Sequence, residues 1–496
     1  MKEILHKYFG YKAFRPNQQE IIEAVLAGRD VFAIMPTGGG KSLCYQIPSL
    51  MLPGITLVIS PLISLMKDQV DAARENGISA AFLNSTSTVE DRRDLISKMR
   101  QNELNLLYIS PERFNLDGFR NFLKGFHVAL IAVDEAHCIS EWGHDFRPDY
   151  LSLSEIVDVF PKTPIAAFTA TATLKVQKDI AARLRLRSPL MVRASFNRPN
   201  LSYTVIPKGD YKKQILDILK HRPDLPGIIY RTSRKDVDFT AKLLKEKGIK
   251  ALPYHAGLPD AKRKKHQEAF NHDKVQVIVA TIAFGMGIDK SNVRFVMHVD
   301  MPKNMEGYYQ ETGRAGRDGE PAECILLYRQ SDIYKIHYFI RQMSGEEQKR
   351  AYDNLNRVMR FAESIECRRK NLLEYFNETY PDERCDNCDR CLPDIMEQRE
   401  AIYEEVYEAI PKKSVEKKQT KSVINEELFQ ALRTLRRDIA DSIGMPPYIV
   451  FSDRTLQEMA KKKPKTASQL LSVTGVGEHK LRKYGKDFLD VIARFI

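Results

Sequence analysis

Tryptophan is nearly absent from this chain of 496 residues, which holds one, Trp142. Cysteine is sparse, at seven. Cys44, Cys138 and Cys324 are scattered, whereas Cys367, Cys385, Cys388 and Cys391 cluster. An odd count in that pattern is not the framework of a disulfide-stapled secreted domain. No run approaches the roughly 20 apolar residues of a membrane-spanning helix, so no membrane partner is expected. The opening residues, MKEILHKYFGYKAFRPNQ, lack the apolar stretch of a secretory leader, and the cytosol is the expected location.

Hydrophobic residues at 43% and charged residues at 29% give the balance of a soluble globular protein. The length is too great for one core and implies three or four domains. The formal net charge of +12 fits a polyanionic partner such as nucleic acid, but mild basicity is common and leaves the two readings even.

From about residue 20 to 340, short apolar runs alternate with amphipathic stretches. The runs are Val31–Ile34, Leu57–Ile59, Ala129–Val133, Ile165–Phe168, Gly227–Tyr230, Val275–Ala280 and Phe295–Met297. Strands this apolar are buried on both faces, as in a parallel sheet covered by helices. The pattern predicts two α/β domains that divide near SFNRPNL, residues 195–201. A helical stretch and the cysteine cluster follow. Residues 393–422 are polar, end in PKKSVEKKQTK and read as a flexible linker. In the last segment Leu428, Leu432, Leu435, Ile439 and Ile443 recur at helical spacing, and Gly444 with Pro446 and Pro447 ends that helix.

Three constellations carry chemistry. MPTGGGKS, residues 35–42, follows a strand and ends like a P-loop, although Met35 stands where the strict pattern has glycine. Backbone N–H groups of such a turn cradle phosphates. Lys41 would reach the β- and γ-phosphates, and Ser42 would ligate Mg²⁺. About ninety residues on, Asp134 and Glu135 follow another apolar run. Asp134 suits Mg²⁺, and Glu135 suits the attacking water. Charges ending a buried strand lack partners unless a cation arrives, so the two halves together point to nucleoside triphosphate hydrolysis. Arg314 and Arg317 flank Gly316, are expected on a helical stretch, and either could serve as an arginine finger.

Upstream, Tyr11, Arg15 and Gln18 offer a ring, a guanidinium and a carboxamide for an adenine; anchoring of a terminal helix explains them equally well. The four clustered cysteines have the ligand set of a closed tetrahedral Zn²⁺ site of structural type. An iron–sulfur cluster is the less favoured alternative. Behind the carboxylates, DEAHCISEWGHDFRP sets Trp142, His144, Phe146 and Arg147 on one loop.

In this order the motifs resemble a superfamily 2 helicase, and more narrowly the RecQ family. FGYKAFRPNQQE, MPTGGGKS, SPLISLMKDQ, DEAH, FTATAT, YHAGL, ATIAFGMGIDK and QETGRAGRDG carry the resemblance over residues 7–391. It implies two tandem RecA-like parallel-sheet domains (1–195 and 196–340), a helical-hairpin zinc module (341–392), a basic linker (393–423) and an all-α module resembling the HRDC domain (424–496). It also implies nucleotide contacts from Tyr11, Arg15, Gln18, Thr37, Gly38, Gly39, Gly40, Lys41, Ser42, Gly287, Asp289 and Gln310, with ATP, Mg²⁺ and Zn²⁺ as cofactors. The loop of Trp142, His144, Phe146 and Arg147 resembles the family's aromatic-rich loop, which binds single-stranded DNA and signals to the ATPase site. Stacking of bases on such rings is worth about 1–3 kcal/mol each.

The activity the resemblance implies is ATP-dependent, 3′→5′ unwinding of single-stranded, tailed or forked DNA in recombination and repair. A DNA-stimulated ATPase that anneals or remodels, or a DNA-binding scaffold, are the alternatives. A monomer at the bacterial nucleoid is expected, with single-strand-binding or recombination proteins as partners. Family members often place a winged helix of about a hundred residues between zinc module and HRDC domain, and none fits here. Duplex DNA then falls to Arg368, Arg369 and Lys370, and to Lys412, Lys413, Lys417, Lys418 and Lys421. In the last module Lys480, Arg482 and Lys483 are candidates for phosphates.

Overall fold

The structure is a computed structural model that describes residues 1–61, 63–83, 88–141, 146–285, 290–395 and 425–496. Two parallel sheets organise it. The first contains β1 (Val31–Ile34), β2 (Ile55–Ile59), β3 (Ala80–Leu83), β4 (Leu106–Ile109), β5 (Val128–Val133), β6 (Ile165–Thr169) and β7 (Leu190–Arg193). Their order is β3-β4-β2-β5-β6-β1-β7, and each pairing is parallel. The second holds β8 (Leu201–Pro207), β9 (Gly227–Tyr230), β10 (Ala251–Tyr254), β11 (Val277–Ala280), β12 (Phe295–His298) and β13 (Ala322–Tyr328), in the order β10-β11-β9-β12-β13-β8. All of its pairings are parallel as well.

Every residue of β1, β2, β4, β6, β9, β11 and β12 is buried. Helices cover both faces, so these strands carry no polar alternation, as expected of a sheet enclosed on two sides. Strands outside the predicted runs have identifiable signatures. β8 and β13 interrupt their apolar residues with Ser202, Thr204 and Glu323, all buried. Glu323 is tolerated because Arg222 Nε donates to its Oε2 at 2.6 Å, which replaces lost hydration with a charge-assisted bond. β7 and β10 lie at sheet edges, and β10 includes Pro253, which an edge accommodates.

The helices Gly345–Glu363 and Arg368–Tyr375 follow, and Cys367 caps the second. Residues around Cys388 join β8 through a bridge with Tyr203. The C-terminal module packs Leu428, Leu432, Leu456, Leu470, Phe488 and Ile492 into its own core. Its first helix, Glu426–Ser442, stops at Gly444, whose φ is +67°, the left-handed end expected there. The predicted linker lies almost wholly outside the described residues, as do all five of its lysines named above.

This module is docked across both lobes. Gly475 N–H donates to Gly10 O at 3.1 Å. A Cβ on Gly10 would stand 2.4 Å from Val476 N, so only glycine permits that approach. Glu75, at the end of the helix Ile63–Glu75, accepts from Lys483 Nζ at 2.7 and 2.9 Å and from Tyr484 OH at 2.6 Å. Toward the second lobe, Lys290 lies 6.0 Å from the centre of the Tyr448 ring. Two of the basic residues named above already have partners here. Lys480 donates to Ile449 O at 2.6 Å within its module, and burial lowers its pKa to about 8. Lys483 is bound to Glu75. Lys480 also borders the cavity beside the P-loop, and Lys483 keeps 38% of its side chain exposed while it is paired; Arg482 is exposed.

Candidate active site and metal centre

The P-loop leaves β1 and leads into the helix Leu43–Ser49. Gly38 and Gly40 have φ of +78° and +82°, which L side chains rarely adopt. A Cβ on Gly39 would meet Pro36 O at 2.9 Å. Three consecutive glycines therefore have local reasons. Ser42 Oγ donates to Gln69 Oε1 at 3.0 Å, which ties the loop to the end of SPLISLMKDQ.

Arg15 and Gln18 pack against this turn. Arg15 Nη1 donates to Gly38 O, and Gln18 Nε2 donates to Gly40 O at 3.0 Å while its Oε1 accepts from Arg15 N at 2.9 Å. Gln18 is buried and its amide holds P-loop backbone. Tyr11 is 38% exposed at the edge of the same cavity.

Asp134 and Glu135 lie just past β5. Glu135 has φ +47°, a strained value for a non-glycine residue and one that active sites tolerate when the surroundings enforce it. Its Oε2 is buried, has no hydrogen-bond donor and lies 3.4 Å from His137 Nδ1. His137 Nδ1 bonds Thr169 Oγ1 at 2.9 Å, and Thr169 Oγ1 donates to Thr171 O at 3.1 Å. From the second lobe, Gln310 Nε2 donates to Thr171 Oγ1 at 3.4 Å. A polar chain thus runs from His137, 3.4 Å from that carboxylate, through Thr169 and Thr171 to the opposite lobe.

Arg314 and Arg317 face the same space, with one correction to their setting. The helix Met305–Thr312 ends before them, and residues 313–318 form turns in which Gly316 has φ +54°. A helix would have carried both guanidiniums on one rigid face; the turn instead brings their backbone against the P-loop. A Cβ on Gly38 would lie 3.6 Å from Arg317 Cα, and one on Gly313 3.4 Å from Thr37 Cβ.

A cavity of about 620 Å³ results, lined by Tyr11, Arg15, Gln18, Thr37, Gly38, Gly40, Lys41, Ser42, Asp134, Glu135, Gln310, Arg314 and Arg317. That volume suits a nucleotide. The orphaned Glu135 oxygen, the P-loop N–H groups and cations from both lobes fit a Mg²⁺–triphosphate. Gly287 and Asp289 lie outside the described residues. The cavity has a wall that the sequence did not announce, formed by Tyr448, Ser452, Arg454 and Thr455 of the docked C-terminal module.

Of the aromatic-rich loop, Trp142 and His144 lie outside the described residues. Phe146 and Arg147 are half-buried. Arg147 Nη1 donates to Pro61 O at 3.1 Å, and Arg147 N to Cys138 O at 2.9 Å. The loop is thereby tied at its far end to the segment that also supplies Gln69.

The four cysteine sulfurs of Cys367, Cys385, Cys388 and Cys391 lie within 4.8 Å of one another. Cys385 and Cys391 are 3.9 Å apart, and Cys367 and Cys388 4.0 Å. Zn–S bonds of about 2.3 Å in a tetrahedron give sulfur–sulfur edges near 3.8 Å, so the cluster fits Zn²⁺ with no further ligand. The neighbouring arginines are not a DNA surface, contrary to expectation. Arg368 is fully buried and pairs with Asp389 at 2.9 Å; Arg369 is 2% exposed and bonds backbone of the interlobe connector. Both satisfy buried acceptors that would otherwise be orphaned.

Comparison with known proteins agrees with this geometry. Family models described as DEAD/DEAH box helicase, helicase conserved C-terminal domain, RecQ zinc-binding and HRDC domain match residues 15–180, 210–319, 330–392 and 425–492. The ATP-dependent DNA helicase RecQ of Pasteurella multocida (strain Pm70) is 39% identical over 588 residues, covering 99% of this chain and 93% of that protein. Its counterpart in Bacillus subtilis (strain 168) is 38% identical, covering 100% and 98%. The first alignment spans 588 positions against 496 residues here, so the relative carries a long stretch without a counterpart in this chain. Among solved structures, S. cerevisiae Dbp5 bound to RNA and ADP BeF3 is similar with a TM-score of 0.56 at 16% identity, covering 80% of this chain and 94% of that one, a likeness of fold alone. With the nucleotide cavity, the cysteine cluster and the helical C-terminal module in family order, the chain belongs to the RecQ family of ATP-dependent DNA helicases.

Proposed function

We propose that the chain hydrolyses ATP between its two lobes and uses the cycle to move 3′→5′ along single-stranded DNA, displacing the strand ahead at tails and forks. The observation that carries this is the shared cavity. Lys41, Ser42, Asp134 and Glu135 enter it from one lobe, and Arg314 and Arg317 from the other. An arginine that stabilises the transferring phosphoryl group from across a cleft ties hydrolysis to lobe closure. Lys41 and Ser42 would bind the triphosphate and Mg²⁺, Asp134 the ion, and Glu135 would orient the attacking water. Mg²⁺ supplies charge neutralisation at the phosphates when bound.

Cys367, Cys385, Cys388 and Cys391 would hold a Zn²⁺, and with Cys388 bridged to Tyr203 the site would staple the helical hairpin to β8. Tyr11 at the cavity edge would stack on the adenine, with Arg15 and Gln18 placing the P-loop beneath it. Trp142, His144, Phe146 and Arg147 would meet the DNA strand. Action on DNA accords with the relatives' names and with the +12 net charge; work in recombination and repair, as a monomer in the cytoplasm at the nucleoid, is part of the same proposal.

The test has two stages. ATP hydrolysis is measured with and without single-stranded DNA; strand displacement is then measured on 3′-tailed, 5′-tailed and forked duplexes. DNA-stimulated hydrolysis with displacement of 3′-tailed substrates is expected. Stimulated hydrolysis with no displacement would leave an annealing or remodelling ATPase.

A further inference from the structure

The segment SFNRPNL, residues 195–201, leaves β7 and enters β8, so it joins the lobes. Its arginine reaches into the seam below the nucleotide cavity. Arg198 Nη1 donates to Thr37 O of the P-loop at 2.8 Å and to Gly313 O of the second lobe at 3.3 Å. Its Nη2 donates to Ala315 O at 3.1 Å and Gly316 O at 2.7 Å. Those last three carbonyls belong to the turn that presents Arg314 and Arg317. Asn200 Nδ2 supports the same turn through Gly316 O at 2.9 Å and Glu320 O at 2.8 Å. A guanidinium is a planar fork of fixed donors. It can therefore hold two backbones at one spacing, which an ammonium on a flexible stem does not do.

The connector is itself gripped. Arg369 Nη1 donates to Arg198 O at 2.7 Å and to Asn197 Oδ1 at 2.7 Å, and Arg369 Nη2 to Leu201 O at 2.6 Å. The Phe196 ring stacks on Phe376, with centroids 4.4 Å apart and planes 8° apart, and meets Tyr309 edge-on at 5.5 Å. Arg369 lies two residues beyond Cys367, in the helix that the cysteine caps.

We infer that Arg198 is a positioning residue for ATP hydrolysis: it sets the register between the P-loop and the turn carrying Arg314 and Arg317, and the zinc module holds it in place through Arg369. This rests on the ATPase reading above. The guanidinium of Arg198 bonds the backbone carbonyls of Thr37, Gly313, Ala315 and Gly316, so it acts through the arginine turn. Binding of nucleotide draws on the P-loop N–H groups and Lys41. Hydrolysis additionally needs the arginines across the cleft, and that part depends on Arg198.

The full-length protein is assayed at saturating single-stranded DNA for kcat, KM for ATP and affinity for a fluorescent ADP analogue. Wild type is compared with Arg198→Gln, Arg198→Lys, Arg317→Gln and the double variant Arg198→Gln/Arg317→Gln. For Arg198→Gln, kcat should fall on the order of a hundredfold, the penalty of an ångström-scale misplacement. Analogue affinity should stay within about threefold. Arg198→Lys should recover little, because one ammonium cannot bridge the acceptors. In the Arg317→Gln background the Arg198→Gln penalty should shrink to below about tenfold, since the group it positions is gone.

An unchanged kcat, a parallel loss of kcat and analogue affinity, or full multiplication of the two single effects would each overturn the inference. If Arg198→Gln does not fold, Arg369→Gln and Asn200→Ala carry the same test. Each should lower kcat while leaving analogue affinity in place, and wild-type kcat in both would overturn it. A wild-type protein without ATPase would refute the proposed function itself, which is a separate outcome.

Discussion

Replacing Glu75 by glutamine should loosen the C-terminal module from the first lobe. Glu75 is 4% exposed, and its carboxylate takes both bonds from Lys483 and one from Tyr484. Burial alone would raise its pKa, but the bonds from Lys483 and Tyr484 and the charge of Lys480 outweigh it and leave the value below the ordinary 4.5. Glutamine keeps the shape and removes the charge. Breaking a fully buried pair by removing one partner costs about 3–5 kcal/mol. Lys483 keeps 38% of its side chain exposed and rehydrates on release, so a figure of about 2 kcal/mol is appropriate. That is roughly a thirtyfold fall in the docking equilibrium. Hydrogen exchange at Gly475, whose N–H is bonded to Gly10 O only when docked, reads it out and should accelerate by the same factor. The charge-exchanged pair Glu75→Lys/Lys483→Glu should recover part of the protection. Unchanged exchange at Gly475 in Glu75→Gln would show that the backbone contacts at Gly10 hold the module by themselves.

Lys41→Ala should abolish ATP turnover and leave single-stranded DNA binding largely intact, as separate turnover and anisotropy measurements would show; near-normal turnover would remove the P-loop assignment. Metal analysis should find about one Zn²⁺ per chain, and Cys385→Ser should lower both metal content and solubility. Docking should also respond to pH. Glu75 has a lowered pKa, so its contribution is present above 4.5 and is lost as pH falls through the depressed value. Lys480 gives a slope of the same sign in a different window: burial lowers its pKa from 10.5 to about 8, so the cost of burying its charge is relieved and stability rises as pH goes from about 8 to 10.5. A pH series of Gly475 exchange checks the acid limb, and thermal melting of the module checks the alkaline limb.

The candidate catalytic groups stand out in the sequence because each has a local signature. The P-loop glycines are dictated within a few residues, as the φ of Gly38 and Gly40 and the Pro36 contact of Gly39 show. Glu135 sits at the end of a buried strand whose apolarity is itself a signal. The four cysteines are spaced for one ion. Contacts between distant segments were not legible. Gln18 is separated from Gly40 by 22 positions, and Arg198 from Thr37 by 161. Within SFNRPNL the sequence marked a boundary, although the arginine, the asparagine and the phenylalanine each have a structural task. His137 and Thr169 lay in quoted motifs, but nothing local indicated that they bond each other. Among strands, the buried Glu323 hid β13, because a charge reads as surface until its partner Arg222 is seen. Leu106–Ile109 is as apolar as the runs that were recognised, and its omission has no physical reason.

Basic residues show most clearly why a charge count does not locate a nucleic-acid surface. The +12 balance invites a reading in which arginines face phosphates. Yet Arg222, Arg368, Arg369 and Arg436 are at most 2% exposed. Arg222 neutralises Glu323, Arg368 pairs with Asp389, Arg369 caps carbonyls of the connector, and Arg436 bonds Phe451 O and Asp453. Burying a guanidinium is costly unless every donor finds an acceptor. Such arginines therefore mark internal joins: Arg222 ties the segment after its helix to β13, Arg368 ties a zinc-module helix to the cysteine loop, Arg369 ties that helix to the interlobe connector, and Arg436 ties the first helix of the C-terminal module to the segment behind it. Lys480 and Lys483 extend the point, since these two candidates for phosphates are engaged by their own module and by Glu75. A surface for DNA has to be sought among cations that the fold leaves exposed, and Arg482, in that same stretch, is one of them.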